Sequence, residues 1–505
     1  MGASDTDTDL LIVGGGINGA GIARDAAGRG VRTLLIDQGD FGGATSSAST
    51  KLIHGGLRYL EHYEFRLVTE SLDERAVMLR LAPHLVTPLR FVMPHVPALR
   101  PAWMIRLGLW FYDHLGHKTA LPDSSAVSLQ DSPLDSSLGA GLKPELTDGF
   151  SYFDARVDDA RLVILNLKSA CDHGATVLPR RQLIAANREA HAWRVTLQHT
   201  LTGERSEVRA RVLVNAAGPW VKEVLDRSGG VSPARVRLVK GSHIVVPRVH
   251  AGDHAYIFQN TDQRVVFVIP YLNDYSLIGT TDTVVKSLKQ PPTISASEVR
   301  YLLSAVNQYL NTPLKQRDIV WSYSGIRPLY DDGNGDPAAI TRDYTLVMDE
   351  HDGAPRLSVF GGKLTTYRKL AEAVLDKLAE NLDYQRSPWT DSEPLPGGAF
   401  DPTQREDEMA RLIADYPRLP SALLRDWFAR YGLAVSDVLN GAKTMTALGR
   451  DFGGGLYQRE VDYLIAREWA MRPDDILWRR TKAGLLMNPD QQASFEAWWA
   501  ENTGP

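Results

Sequence analysis

The sequence predicts a mixed α/β protein built from three parts: a discontinuous nucleotide-binding domain, a β-rich cap and a helical C-terminal domain. Near the N-terminus, a short apolar run at residues 10–13 is followed by a glycine-rich turn and a segment of small residues. Residues 242–285 contain several β-rich runs, at 243–246, 264–270 and 275–279, which predict a second sheet separate from the nucleotide-binding one. Beyond a stretch rich in Pro, Gly and Ser at residues 387–402, apolar residues recur at helical spacing and predict four helices, at residues 405–416, 420–431, 459–471 and 488–500. The chain of 505 residues is long enough for this division, since domains average roughly 150 residues.

The composition is that of an ordinary globular protein and excludes several other classes. Hydrophobic residues make up 43% and charged residues 23% of the chain, which excludes a disordered, collagenous or coiled-coil protein. The formal net charge is −5, so no basic excess indicates nucleic-acid binding. Cys171 is the single cysteine, which excludes an intrachain disulfide and favours a reducing compartment. The acidic residues 1–9 are unlike a signal peptide, and no run of 18 apolar residues predicts a membrane-spanning helix.

The first predicted strand leads directly into a GxGxxG dinucleotide-binding fingerprint at residues 14–19. In this motif the first glycine allows a tight turn, the second lets the backbone approach a pyrophosphate, and the third lets the following helix pack on the strand. The N-terminus of that helix offers N–H groups to the phosphates. Asp37 follows a second strand at residues 31–36, in the position of an acid that accepts hydrogen bonds from a ribose. These features together predict a bound dinucleotide.

The identity of the dinucleotide is indicated by the distribution of the nucleotide-binding segments. Asp37 disfavours the 2′-phosphate of NADP but does not separate FAD from NAD. The nucleotide-binding domain of an NAD dehydrogenase is usually one contiguous block, whereas here strand-turn segments recur at residues 212–218 and 357–370. Residues 361–366 begin a helix after a strand, giving a second helix N-terminus that can face a flavin or a phosphate. One nucleotide wrapped by distant parts of the chain favours FAD.

Several longer segments resemble the signature motifs of one enzyme family. They are ATSSASTKLIHGGLRYLE (residues 44–61), VKGSH (239–243), SGIRPL (324–329) and FGGKLTTYR (360–368). In this order they resemble the FAD-dependent glycerol-3-phosphate dehydrogenases, and most closely the bacterial aerobic, membrane-associated enzymes. The likeness covers nearly the whole chain, although Asp37 stands where a glutamate is more usual.

The resemblance implies a reaction and its partners. The expected reaction is oxidation of sn-glycerol 3-phosphate to dihydroxyacetone phosphate, with hydride passing to FAD and electrons then passing to ubiquinone or menaquinone. Two enzymatic alternatives stay open, a glycerol-3-phosphate oxidase that reduces O2 and a flavin amine or amino-acid oxidoreductase. A non-catalytic flavoprotein is the alternative from another class. The C-terminal helices are expected either to brace a homodimer or to cover the FAD domain.

A phosphorylated alcohol requires cations for its phosphate and a base for its hydroxyl proton. The resemblance implies that Arg58, Arg327 and Lys363 line the substrate site, with Tyr59 beside Arg58. His54 and His243 are the candidate catalytic bases, and Arg327 is the candidate group for stabilising a developing alkoxide. The residues do not decide which group takes the proton. The expected cofactor contacts are Gly14, Gly16, Ile17, Asn18, Gly19, Asp37, Thr45, Ser46, Ser47, Lys51, Ala217, Gly218, Gly362, Lys363, Leu364 and Thr365.

Three domains are expected on this basis. The FAD-binding, Rossmann-like domain comprises residues 1–90, 150–235 and 335–390, the substrate cap comprises 91–149 and 236–334, and the helical C-terminal domain comprises 391–505. No metal is expected, because the acidic cluster at residues 154–161 is better explained by Asp158 or Asp159 as the N-cap of a helix beginning near Ala160.

Residues 101–112 form the most apolar aromatic segment outside the nucleotide-binding fold. It is flanked by the basic residues Arg90, Arg100, His114, His117 and Lys118. With twelve residues and Arg106 inside, it is too short to span a membrane. It is either a buried core helix or a helix at the lipid headgroup boundary. The resemblance favours the second interpretation, with the protein peripheral on the cytoplasmic face of the inner membrane and otherwise cytoplasmic.

Overall fold

The computed structural model describes residues 7–117, 120–130, 138–229, 235–331, 343–351, 353–384 and 386–503. The strands, in chain order, are β1 (Thr8–Val13), β2 (Thr33–Ile36), β3 (Leu52–Ile53), β4 (Val86–Pro94), β5 (Ser125–Ser128), β6 (Asp148–Val157), β7 (Thr176–Leu178), β8 (Arg181–Arg188), β9 (Trp193–His199), β10 (Arg205–Asn215), β11 (Arg235–Pro247), β12 (Ala255–Gln259), β13 (Val265–Tyr271), β14 (Tyr275–Gly279), β15 (Thr283–Val285), β16 (Trp321–Asp331), β17 (Thr345–Asp349), β18 (Arg356–Phe360), β19 (Asp451–Gly453) and β20 (Leu456–Tyr457). The α-helices are α1 (Ile17–Gly28), α2 (Phe65–Leu81), α3 (Ala102–His114), α4 (Asp159–Asp172), α5 (Val221–Arg227), α6 (Ala296–Asn307), α7 (Tyr367–Lys377), α8 (Arg405–Asp415), α9 (Ser421–Tyr431), α10 (Val435–Leu439), α11 (Gln458–Glu468), α12 (Ala483–Leu486) and α13 (Pro489–Asn502).

The first sheet has the strand order β17-β18-β10-β1-β2-β7, and the β8–β9 hairpin extends it along β10. The pairs β18–β10, β10–β1, β1–β2 and β2–β7 are parallel. Alternate residues of β1 pack into two different cores: Leu10 and Ile12 meet helices α1, α4 and α7, while Leu11 and Val13 meet the β8–β9 hairpin. Because the strands are parallel, the chain leaves β1, β10 and β18 at one edge of the sheet. The three segments predicted to wrap one nucleotide therefore meet in space.

The second sheet has the order β15-β11-β14-β13-β12-β4-β6-β3, with β16 on β11 and β5 on β6. Helix α6 covers one face of this sheet, and α2 and α3 cover the other. The prediction that strands within residues 242–285 form a sheet separate from the nucleotide-binding one is confirmed by β11, β13 and β14. Strands β4 and β6 belong to this sheet along their whole length, so positions 90 and 150 lie inside strands. The domain boundaries themselves stay a prediction.

The C-terminal helices bury a hydrophobic core of their own around Trp427 and Phe495, neither of which is exposed. Helices α8, α9, α11 and α13 correspond to the four helices predicted from periodicity. Helix α11 ends at Glu468 rather than near residue 471, because Trp469 adopts the left-handed conformation and Pro473 follows shortly after. A π-helical turn, Asp475–Arg480, comes next.

His84 lies between α2 and β4 and is a buried histidine whose protonation makes the stability of the fold depend on pH. Its ring packs 6.5 Å from the ring of Phe400, where the C-terminal segment meets α2. Burial, together with the charges of Arg161 and Arg405, lowers the pKa of His84 to about 3. The unfolded chain therefore binds a proton at this residue that the folded chain does not, and stability is lost as the pH falls below about 6.5.

We expect His84→Met to reduce this loss, since methionine cannot be protonated. Between about pH 7 and about pH 5.5, the free energy of unfolding of the variant should gain about 1 kcal/mol relative to the native chain. Urea unfolding followed by tryptophan fluorescence at both pH values measures the difference. His191→Met, which changes an exposed turn, is the matched control and should follow the native chain. An H84M difference that is independent of pH would refute the assignment.

Candidate active site

The tight turn after β1 is held by close backbone contacts that only glycine permits. Gly14 has φ +116°, and a Cβ there would lie 2.4 Å from the carbonyl oxygen of Ala216, at the end of β10. A Cβ on Gly19 would lie 1.8 Å from the carbonyl oxygen of Gly14. The first turn of α1 is therefore packed directly against the end of β1, and its N-terminal N–H groups face the space beyond the strands.

Distant segments converge on the N-terminus of α1. The Ile17 N–H donates to Ser46 Oγ at 3.0 Å. Asn18 Nδ2 donates to the Gly361 carbonyl at 3.1 Å. Thr45 Oγ1 in turn donates to the Ile326 carbonyl of β16 at 2.6 Å. These three hydrogen bonds join the fingerprint, the loop of the first family-like motif, the end of β18 and the second sheet around one space.

Asp37 ends β2 with its carboxylate directed back to the fingerprint. Its oxygens accept from the N–H groups of Gly15 at 2.6 Å and Gly39 at 2.7 Å. Burial raises the pKa of Asp37 although both of these hydrogen bonds oppose the change. The carboxylate keeps acceptor positions for a ribose hydroxyl, which is the role expected for an acid at this point of the motif.

A continuous cavity of about 1640 Å³ lies between the two sheets. Pockets for one small molecule are roughly 300–1,000 Å³, so this cavity has room for a dinucleotide and a second ligand. Most of the predicted site residues line it, namely Gly14, Gly16, Ile17, Asn18, Asp37, Thr45, Ser46, His54, Tyr59, Ala217, Gly218, Arg327, Gly362, Lys363, Leu364 and Thr365.

Four predicted residues do not line the cavity: Gly19, Ser47, Lys51 and His243. The Lys51 ammonium pairs with Asp159 at 2.7 Å and donates to the Ser47 carbonyl at 3.1 Å, so it braces the loop from behind. The side chain of Arg58 lies outside the described residues.

The His54 side chain enters the cavity from the segment that follows β3. Its backbone N–H donates to Thr365 Oγ1 at 3.3 Å, which links it to the loop before α7. Burial lowers the pKa of His54, and the charge of Lys363 acts in the same direction while Asp154 opposes it. The imidazole is therefore neutral near pH 7 and able to accept a proton.

A buried polar network supports this segment from below. The Tyr112 hydroxyl accepts from the Gly55 N–H at 2.8 Å and donates to the Asp154 carboxylate at 2.8 Å. Arg75 pairs with the same carboxylate at 2.6 Å. Each buried charge thus has a partner of opposite sign, as buried charges require.

His243 occupies a layer behind the cavity and reaches it through Thr50. Its Nε2 is hydrogen-bonded with Thr50 Oγ1 at 3.0 Å, and Thr50 lines the cavity. The ring stacks on Tyr323 with centroids 4.8 Å apart. Burial, followed by the charges of Arg327 and Lys51, holds the pKa of His243 well below its ordinary value.

Arg327 projects from β16 into the cavity and is fixed by an acid. Its guanidinium pairs with Asp282 at 2.7 Å and donates to Thr280 Oγ1 at 3.3 Å. Gly241 on the paired strand β11 leaves the space that this group needs, since a Cβ there would lie 2.5 Å from the guanidinium. Lys363 supplies a second cation, with its Nζ 4.1 Å from the centre of the Tyr59 ring.

Sequence reasoning missed three polar residues that line this part of the cavity: Asp154, Thr280 and Asp282. The last two directly follow the predicted strand at residues 275–279, and polar residues after a strand are a usable signal for a site. Asp154 was assigned only to a helix-capping cluster. In that cluster Asp158 is confirmed as the N-cap of α4, accepting from the Arg161 N–H at 3.1 Å. Within the described ranges, no three acidic, histidine or cysteine residues are grouped as a metal site would require.

Comparison with family models matches the two halves of this architecture. Residues 9–368 match the family described as FAD dependent oxidoreductase. Residues 388–497 match the C-terminal domain of alpha-glycerophosphate oxidase. The glycine turn, the acid after β2 and the size of the cavity fit the dinucleotide that the first match implies. The chain is an FAD-dependent oxidoreductase.

Individual relatives narrow the class. The chain is 51% identical over 497 residues to the aerobic glycerol-3-phosphate dehydrogenase of Escherichia coli (strain K12), covering 98% of both chains. It is 47% identical over 492 residues to the D-erythritol 1-phosphate dehydrogenase of Brucella abortus (strain 2308), covering 97% of both. The crystal structure of the Bacillus halodurans glycerol-3-phosphate dehydrogenase complexed with FAD superposes with a TM-score of 0.76 at 27% identity, covering 99% of this chain and 89% of that one. The chain belongs to the FAD-dependent glycerol-3-phosphate dehydrogenase family.

The contact between Gly19 and Gly14 predicts the effect of adding one methyl group. We expect Gly19→Ala to be isolated largely without FAD, because its Cβ would push α1 away from the end of β1. The ratio of flavin to protein in the purified variant measures this. Gly108→Ala is the matched control, since a Cβ there meets no atom within 4 Å, and it should keep a full complement of flavin. Full flavin occupancy in G19A would contradict the assignment of this turn.

Proposed function

We propose that the protein oxidises sn-glycerol 3-phosphate at C2 to dihydroxyacetone phosphate. The observation that carries the proposal is the placement of Arg327 and Lys363 in the same cavity as the FAD cradle. A guanidinium binds phosphate through paired hydrogen bonds, and an ammonium adds a point charge. The proposal is supported by relatives named as glycerol-3-phosphate dehydrogenases at 51% and 50% identity.

In the proposed reaction the chain's residues handle the proton and the charge. When bound, FAD supplies the acceptor for the hydride that leaves C2. We assign the hydroxyl proton to His54, since its neutral imidazole lines the cavity. Arg327 binds the negatively charged phosphate of the substrate, and Asp282 holds the guanidinium in place. His243 has a positioning role, because it acts through Thr50.

A second candidate substrate is D-erythritol 1-phosphate, because a relative named for it is 47% identical over nearly the whole chain. Both compounds are phosphorylated polyols and make the same demand on Arg327 and Lys363. Comparison of kcat/KM for the two substrates with an artificial electron acceptor separates these candidates, and we expect the larger value for sn-glycerol 3-phosphate.

Arg327→Gln tests the phosphate-binding role. We expect kcat/KM for sn-glycerol 3-phosphate to fall about 10- to 100-fold, the loss expected for hydrogen bonds to a charged group. We expect the FAD content, and any activity measured at a high concentration of unphosphorylated glycerol, to change little. Arg317→Gln, at a residue whose side chain is 78% exposed, is the matched control and should retain native kinetics. An equal fall in kcat/KM for glycerol and for glycerol 3-phosphate would show that Arg327 does not bind the phosphate.

We further propose that the protein attaches to a membrane surface through α3. This helix has two faces: Ile105, Leu109 and Tyr112 are buried against the second sheet. The opposite face exposes large apolar side chains, namely Trp103, Met104, Leu107 and Trp110. The exposed side chains of Tyr63 and Phe65 extend this apolar surface. An exposed aromatic patch of this kind suits the lipid headgroup boundary.

Basic residues flank α3 in the sequence. Of the flanking basic residues, Arg90, Arg100, His114 and His117 are described, and Lys118 lies outside the described residues. No described helix is long and apolar enough to cross a bilayer. With α3 at the headgroup boundary, the proposed location is peripheral, on the cytoplasmic face of the inner membrane that the family resemblance implies. A homodimer stays a prediction.

The same arrangement suits ubiquinone or menaquinone as the electron acceptor, which we propose on the family resemblance. The apolar cavity residues Phe91, Met93 and Ile257 share one hydrophobic cluster with the buried face of α3. An apolar acceptor arriving from the membrane would thus meet an apolar wall on its way to the flavin.

The membrane proposal predicts the effect of removing two exposed side chains. W103S combined with L107S should lower binding to phosphatidylethanolamine–phosphatidylglycerol vesicles at least about tenfold, because each side chain would no longer transfer apolar area from water. Cosedimentation with the vesicles measures the change. Leu433→Ser, on an exposed position of the C-terminal domain, is the matched control and should bind like the native protein. Undiminished binding of the double variant would exclude α3 as the attachment site.

A further inference from the structure

The segment at residues 468–482 of the C-terminal domain contacts the loop at residues 39–43, which connects β2 to the first family-like motif at residues 44–61. Asp40 of this loop is 4% exposed and receives two hydrogen bonds from Arg480, at 2.7 and 2.8 Å. Arg479 pairs with the same carboxylate. Arg480 is completely buried, and it also donates to the carbonyl of Glu468 at 2.8 Å, which anchors it at the end of α11.

An aromatic contact also joins this loop to the C-terminal domain. The Phe41 ring occupies the space beside Gly15 of the fingerprint, where a Cβ would lie 2.4 Å from the ring. Trp469 packs edge-on against Phe41 with centroids 5.4 Å apart. The Gly42 N–H donates to the Gly15 carbonyl at 2.9 Å. The loop is therefore held between the fingerprint on one side and the C-terminal domain on the other.

A third connection joins the same segment to the turn between β7 and β8. Asp475, in the π-helical turn, pairs with Arg180 at 2.8 Å and also with Arg479. The Arg180 N–H donates to the Gly39 carbonyl at 3.0 Å. Arg479, Asp40 and Arg180 all line the cavity together with Asp37, the acid expected to accept hydrogen bonds from a ribose.

The charge of Asp40 reflects this arrangement. Burial acts to raise its pKa, but the guanidinium groups of Arg480 and Arg479 outweigh burial and lower it. The carboxylate is thus ionised and requires its cationic partners, since a buried unpaired charge is strongly unfavourable. Loss of one arginine leaves the buried Asp40 carboxylate, next to the fingerprint, with a single cationic partner in place of two.

We propose that the C-terminal domain forms part of the FAD site, with Arg479 and Arg480 as positioning residues that hold loop 39–43 against the fingerprint. The affinity of the FAD-binding domain for its cofactor then depends on the contact between that domain and the C-terminal domain. This assigns a role to helices that the chemistry at the flavin does not use.

The test is FAD release from the loaded enzyme, measured by the rise of free-flavin fluorescence on serial dilution. We expect Arg480→Met to raise the Kd for FAD at least about tenfold, and Arg480→Lys, which keeps the charge but not the paired geometry, to lie between it and the native enzyme. Arg411→Met, at an exposed arginine of the same domain, is the matched control and should leave the Kd unchanged.

A merely structural role would lower the unfolding temperature while leaving the Kd for FAD unchanged, and that result in a folded Arg480→Met protein overturns the proposal. If this variant does not fold, Arg479→Gln decides, because its side chain is partly exposed at the cavity wall. A Kd at least about threefold above the native value in R479Q supports the proposal. A native Kd in R479Q overturns it.

Discussion

The close approach of the β1 end to β10 and α1 is the constraint on which the rest of this structure depends. Gly14 and Gly19 bring the backbone of three elements within a distance that no side chain allows, and this exposes the helix N–H groups to a pyrophosphate. Ser46 attaches the first family-like motif, at residues 44–61, to the same helix terminus, and Asn18 attaches the end of β18 to it. Segments more than 300 residues apart in sequence thereby form one cradle.

The second sheet lies across the cavity from this cradle and contributes charged side chains that are fixed in position. Arg327 is held by Asp282, and Asp154 is held by Arg75, so charged groups are positioned by partners rather than left mobile in water. His54 and His243 are both kept neutral by burial, but only His54 lines the cavity, which divides their proposed roles into proton acceptor and support. The candidate site thus combines two cations with an uncharged imidazole, which suits the proposed oxidation of a phosphorylated alcohol.

Local patterns predicted the fold well, because the fingerprint, the alternating strands and the helix spacing are each written in neighbouring residues. They could not show which distant residues meet. The pairing of Asp40 with Arg480 joins positions 440 residues apart, and Asp282 gains its role only when β16 lies beside β11. Likewise, His243 could be recognised as a candidate, but its separation from the cavity by Thr50 is a property of packing. The 101–112 segment forms α3, which buries one face and exposes an apolar one, and its contact with lipid stays a prediction.

Rapid anaerobic mixing of the FAD-loaded protein with sn-glycerol 3-phosphate measures whether this alcohol reduces the flavin. The result tests whether the FAD cradle and the cations Arg327 and Lys363 form one active site. We expect the visible absorption band of the oxidised flavin to disappear within a single turnover, with dihydroxyacetone phosphate formed in equal amount to the flavin. A band that persists at full height while added dithionite still removes it would show that the flavin is competent but that this alcohol is not its reductant.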